Sequence, residues 1–188
     1  MPPKAKVDRQ MIVDAAFAIA REAGGDKISA RAVAQRLNCS TQPVMYHFKT
    51  IEELKKAAYR EADWFHSEYL IRISGENPIL GMGVNYIRFA VEEGNLFRFL
   101  FQSNEFSGKS ISQLVSAEEL QPVIGMLAEA EQLNVQDART LFRLLFLFVH
   151  GYASMFMGNT LAYGEETLRL DLLRIYHGIV QSFREESK

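Results

Sequence analysis

Apolar positions recur at helical spacing along almost the whole chain, and nowhere do they alternate with the period of two that marks a strand. Ile12, Ala15, Ala16, Ile19 and Ala20 define one face of a first helix over residues 8–23. Gly24-Gly25-Asp26 ends it, because glycine takes the backbone conformation that a helix stop favours. Ser29 is placed to cap a second helix with Val33, Ala34 and Leu37 on its inner face. Asn38 follows at a tight turn, where asparagine tolerates positive φ, and a third helix runs from Ser40 or Thr41 to His47. Thr50-Ile51-Glu52-Glu53 reads as a capping box that opens a long helix to about Arg72.

Ser74-Gly75-Glu76-Asn77-Pro78 is the clearest break in the pattern. Helices over about 78–93 and 96–101 come next, then a polar stretch over 102–112 that reads as a loop. Ser116-Ala117-Glu118-Glu119 is a second capping box, for a helix to about Leu133, and two longer helices over about 135–159 and 165–185 close the chain. The expected fold class is all-α with about nine helices. A helix-turn-helix domain over 1–52 precedes a helical domain over 53–188, and the long helix from about 51 to 72 links the two.

Composition narrows the setting. Among 188 residues, 48% are apolar and 23% charged, enough for a real core in one domain or two small ones. The single cysteine, Cys39, excludes a disulfide within the monomer and any multi-cysteine metal site. It sits where a small buried hydrophobe is expected. Met-Pro-Pro-Lys-Ala-Lys has no apolar run behind it and so is not a signal peptide. The longest apolar run, Leu144 to Val149, falls far short of the roughly 20 residues of a membrane span. A cytoplasmic protein without membrane association, cofactor or metal is expected.

The net charge of −2 hides a division. Residues 1–60 carry eleven Lys and Arg against six Asp and Glu, a balance of +5, and the remainder carries ten against seventeen, a balance of −7. Any face for a polyanion therefore lies in the first third. Within it, Ser40-Thr41-Gln42-Pro43-Val44-Met45-Tyr46-His47-Phe48-Lys49 concentrates groups suited to DNA. Gln42 has the geometry to pair with adenine, Thr41 offers a hydroxyl or methyl to a base edge, and Tyr46 reaches base or phosphate. Ser29, His47 and Lys49 suit phosphate. Pro43 is tolerated in a first turn, and Val44, Met45 and Phe48 are expected to face inward.

Residues 10–60, about a quarter of the chain, resemble the N-terminal DNA-binding domain of the TetR family of bacterial transcription regulators. The likeness rests on Ile12-Val13-Asp14-Ala15-Ala16-Phe17 with Gly24, on Ser29-Ala30-Arg31-Ala32-Val33-Ala34, on His47-Phe48-Lys49 and on Glu52-Glu53-Leu54. It implies DNA contacts from Ser29, Arg31, Ser40, Thr41, Gln42, Pro43, Tyr46, His47, Lys49 and Lys55, with the Lys4/Lys6 arm adding charge. Three positions depart from the family: it usually has glycine at Asn38, tyrosine at Met45, and often lysine at Ile51.

For the rest of the chain, the resemblance implies an effector-binding and dimerisation body. Phe148-Val149-His150-Gly151-Tyr152 and Leu96-Phe97-Arg98-Phe99-Leu100-Phe101 look like signatures of one branch of that family. Phe65, Tyr86, Phe89, Phe97, Phe101, Phe146 and His150 are candidate effector contacts, although an aromatic stripe at helical spacing is by default core and a lone histidine more often so. Arg98, among aromatics, suits an anionic effector, a solvated face or an acidic partner. Tyr152, Leu168, Leu172, Ile175, Tyr176, Ile179 and Phe183 form a stripe read as a homodimer interface, which a palindromic double-stranded operator requires. No carboxylate pair, Cys-His pair, phosphate loop or histidine cluster supports catalysis, so no enzyme is expected. The expected function is transcriptional regulation, most simply repression relieved by an apolar or amphipathic small molecule. A regulator controlled by a protein partner and a ligand-sequestering helical protein with weak DNA binding stand as alternatives.

Overall fold

A computed structural model of the protein describes residues 7–72, 77–102, 118–157 and 161–186, and within them every regular element is a helix. Among the described residues nine α-helices succeed one another: α1 Arg9–Ala23, α2 Ala30–Arg36, α3 Thr41–His47, α4 Ile51–Leu70, α5 Pro78–Glu92, α6 Gly94–Phe101, α7 Gln121–Glu131, α8 Val135–Phe156 and α9 Glu165–Glu186. The all-α expectation holds. The 102–112 stretch, residues Ser116 and Ala117 of the second capping box, and the Lys4/Lys6 arm fall mainly or wholly outside the described residues.

Helix ends follow local chemistry. The Asp8 carboxylate accepts from the Met11 N–H at 2.9 Å and the Ser29 hydroxyl from the Ala32 N–H at 3.1 Å, each satisfying a donor that the first turn of a helix leaves open. α1 stops at Gly24, whose φ of +100° favours glycine, and Asn38 takes φ +51° at the turn between α2 and α3. The Thr50 hydroxyl accepts from the Glu53 N–H at 3.1 Å, while the Glu53 carboxylate reaches back to the Lys49 N–H at 2.9 Å, one residue earlier than a regular capping box would place it. Asn77 opens α5 by accepting from the Ile79 and Leu80 N–H groups at 3.0 and 3.2 Å.

Contacts divide the chain into two compact units, one of Met1–Glu68 with Glu93–Glu105 and the other of Tyr69–Glu92 with Phe106–Lys188. This division differs from a boundary at residue 52. Leu54, Ala57, Ala58 and Ala62 of α4 are buried in the first unit, together with Ile12, Ala16 and Ala20 of α1. α6 also belongs to it. Its Leu96, Phe97 and Leu100 are fully buried, Glu93 pairs with Arg21, and the Asn95 amide donates to the Arg21 carbonyl at 3.1 Å. The Tyr59 hydroxyl donates to the Leu100 carbonyl at 3.1 Å. Periodicity showed α6 as a helix but not that it returns to the end of α1.

In the second unit, α5 lies against α8 and α9, and α7 against α8. Ala138, Leu141, Leu145, Val149 and Ala153 form the buried seam of α8, at the three- and four-residue spacing of a helix face. Asn85 is buried but satisfied, donating to the Leu70 and Arg72 carbonyls at 3.1 and 3.0 Å. It thereby completes the C-terminal end of α4.

Two features of the first unit have measurable consequences. A Cβ on Gly25 would stand 2.1 Å from the Phe99 ring, so Gly25→Ala forces that ring off the turn; a loss of about 1–3 kcal/mol in urea denaturation is expected. His66 is buried beside Phe101, ring centroids 5.2 Å apart, and burial pulls its pKa down to about 4. The unfolded chain then binds the proton more tightly than the folded one below the ordinary histidine pKa of about 6.5. Stability is fully present above that pH and falls between about 6.5 and 4, by on the order of 3 kcal/mol. His66→Phe removes this part of the acid sensitivity in melts recorded across that pH range.

Candidate nucleic-acid interface

α2 and α3 meet across the Asn38 turn, with Val33, Ala34, Val44 and Phe48 buried on the inner side. The outer side of α3 is open to solvent: Ser40, Thr41, Gln42, Met45 and Tyr46 are exposed, Tyr46 to 82%. The Thr41 and Gln42 side chains make no hydrogen bond among the described residues. Pro43, half-buried at the third helical position, supplies no N–H for the Ser40 hydroxyl to cap, and Ser40 makes no capping bond. Tyr46 stands edge-on to His47 with centroids 5.2 Å apart.

Met45 corrects the inward expectation. With Val44 and Phe48 both inside, a residue one step beyond Val44 is turned by about 100° and lies beside Tyr46 on the solvent side. Cys39 is half-buried instead of fully enclosed, its N–H bonded to the Ala34 carbonyl at 2.9 Å.

Ion pairing sorts the basic residues of this unit. Arg36 is held by Glu22 through two bonds of 2.7 and 2.6 Å, Lys27 by Asp26 at 2.8 Å, and Arg21 by Glu93. Each pairing lowers the carboxylate's pKa, as for Glu22 and Asp26, or raises the cation's. Arg9, Arg31, Lys49, Lys55, Lys56 and Arg60 make no ion pair within 4 Å among the described residues. Three of them, Arg9, Lys56 and Arg60, line a recess of about 280 Å³ with His47, Phe48 and Glu53 at the end of α3. The Arg9 guanidinium lies 4.6 Å from the centre of the Phe48 ring, which fixes it there.

This cationic recess was missed by sequence reasoning. Lys56 and Arg60 carried a signal, basic side chains four apart on α4, whereas the approach of Arg9 to Phe48 is made only by folding. Lys55 lines a second cleft, with Asp26, Arg98 and Phe99, which shares Lys56 with the recess. The half-buried Ser29 hydroxyl is engaged as an N-cap, Arg31 is exposed on α2, and Lys49 is exposed past α3.

The candidate effector residues are distributed over both units. Phe65 packs on Phe17, centroids 5.6 Å apart, and Phe97 on Phe101 at 4.9 Å, all in the first unit. In the second unit the Tyr86 hydroxyl and His150 Nδ1 lie 2.8 Å apart, and Phe146 stacks on the imidazole at 5.5 Å. Burial raises the Tyr86 pKa and lowers that of His150, so both favour the neutral form. Phe89 packs on Tyr69 at 5.3 Å.

The α9 stripe also divides. Leu168, Leu172 and Tyr176 are buried within the chain itself, the last with its hydroxyl donating to Glu131 at 2.5 Å. Ile175 is exposed and Tyr152, Ile179 and Phe183 are half-buried, and Leu144, Leu147 and Met155 of α8 are exposed as well. Helical periodicity marks an apolar stripe without saying whose core it faces.

No helix among the described residues is long and apolar enough to cross a membrane, and none of them form a group of three or more potential metal ligands. No model of a known protein family matches the chain, and no characterised protein matches it.

The inner and outer sides of α3 predict opposite responses. Gln42→Ala and Tyr46→Ala are expected to leave stability within about 0.5 kcal/mol of the parent, whereas Val44→Ala costs about 2 kcal/mol, read from denaturant midpoints.

Proposed function

We propose that this protein is a TetR-like, sequence-specific DNA-binding transcriptional regulator, acting as a homodimer by binding and not by catalysis. One observation carries the reading. α3 is anchored by buried Val44 and Phe48, presents Thr41, Gln42 and Tyr46 to solvent, and ends beside three cations that no carboxylate among the described residues neutralises within 4 Å. A helix so placed suits the major groove, with base contacts from its outer face and phosphate contacts from the flanking charges. Thr41, Gln42 and Tyr46 read bases, while Lys49, His47, Arg9, Lys56 and Arg60 hold the backbone.

Dimerisation supplies the second half-site of a palindromic operator, and the exposed apolar residues of α8 and α9 supply a surface for it. A small molecule that favours one spacing of the two recognition helices would release the operator, which makes repression the simplest sign of regulation. The Tyr86–Phe146–His150 cluster is the candidate contact for such an effector in the second unit.

Gel shift against the DNA upstream of its own gene tests the reading. Gln42→Ala is expected to change base preference within the bound site, and Lys49→Ala to weaken operator and random DNA alike while lowering the salt slope by about one. Equal losses on operator and random DNA for Gln42→Ala would refute its role in base reading. Absence of binding by the parent protein at low salt would refute the function itself.

A further inference from the structure

The outer face of α3 has an apolar centre. Met45 keeps 41% of its surface exposed, although Val44 before it and Phe48 after it are buried. A helix turns about 100° per residue, so Met45 lies between Thr41, about 40° to one side, and Gln42, about 60° to the other. These are its surface neighbours four and three positions back, and both are exposed. Tyr46, exposed as well, closes the same face. The methionine thus stands amid the side chains proposed to read bases. Charge favours a polyanion over an apolar partner on this face. Past its end, Arg9, Lys56 and Arg60 line a recess with Glu53, and none of the four makes an ion pair within 4 Å among the described residues. The Glu53 carboxylate accepts instead from the Lys49 N–H at 2.9 Å.

We infer that Met45 reads the C5-methyl group of a thymine in the major groove, a specificity contact that rests on the DNA-binding reading and deepens it. A thioether has no donor and only a weakly accepting sulfur. Against the acceptors and amino groups of the base edges it would displace water without replacing the hydrogen bonds. Thymine alone of the four bases adds an apolar group to that edge. An unbranched, polarisable side chain adapts to such a group through its three rotatable bonds. Gln42, beside Met45 on the helix surface, suits adenine, so the methyl belongs to the same A·T pair or to the next one.

Duplexes selected by the full chain from a random-sequence pool supply the probe. Each thymine of the selected site is replaced in turn by deoxyuridine, which removes the methyl and keeps the hydrogen-bonding edge. At one thymine per half-site the parent protein is expected to bind about three- to fivefold more weakly, the effect of one buried methyl group. Met45→Ala should bind the thymine duplex more weakly by a similar factor and no longer distinguish it from the deoxyuridine duplex, a coupling that marks direct contact. Met45→Leu should keep the preference, and so should Lys49→Ala, which weakens both duplexes alike. The deoxyuridine scan on the parent protein needs no variant and so decides the matter even if a substitution disturbs folding. A flat scan, or a methyl preference that persists undiminished in Met45→Ala, would overturn the inference while leaving DNA binding intact. A flat scan with self-association altered by Met45→Ala would give this face to a second copy. Failure to select any duplex would remove the DNA-binding reading and this inference together.

Discussion

A seven-residue helix has too few internal hydrogen bonds to persist by itself in water, so α3 exists because Val44 and Phe48 are buried against the rest of its unit. Everything else about that surface depends on this anchorage. It sets the rotation of α3, and the rotation decides that Thr41, Gln42 and Tyr46 face solvent. It also turns Met45 outward. The same burial brings the Phe48 ring under Arg9, so one apolar contact both orients the polar face and places a cation beside it.

Electrostatics then divides the basic residues into two classes. Arg21, Lys27 and Arg36 are close to carboxylates, Arg36 tying α2 to α1, Arg21 tying α1 to the start of α6, and Lys27 pairing within its own turn. Such exposed pairs contribute little stability each, but they remove those cations from the pool able to meet a phosphate. The balance of +5 over residues 1–60 measures the charge of the unit without saying where it is available. Arg9, Lys56 and Arg60 gather beside α3, and Lys55 points to the cleft with Arg98.

The second unit illustrates a different limit. The spacing of Leu168, Leu172 and Tyr176 marked an apolar stripe on α9, and the stripe is real, but it faces this chain's own α5 and α8. Burial against oneself and burial against a second copy obey the same physical rule and leave the same pattern in sequence. His150 is similar. Its neighbours on α8 announce a helix, whereas the hydrogen bond to Tyr86, 64 residues earlier, comes from the packing of α5 on α8.

What the sequence determined by itself was local. Helical periodicity, the caps at Ser29 and Thr50, the stop at Gly24 and the positive-φ turn at Asn38 each depend on residues within a few positions of one another, and each is found where the pattern put it. The candidate interface was legible to the same depth: Thr41, Gln42 and Tyr46 could be named from one short helix. Tertiary structure alone decided the return of α6 to α1, the union of α4's first turns with the N-terminal helices, the recruitment of Arg9, and which apolar stripes are already covered. Those outcomes depend on contacts between residues tens of positions apart. No periodicity or capping rule reaches that far, because a side chain's partner across the core is chosen by shape and charge in three dimensions.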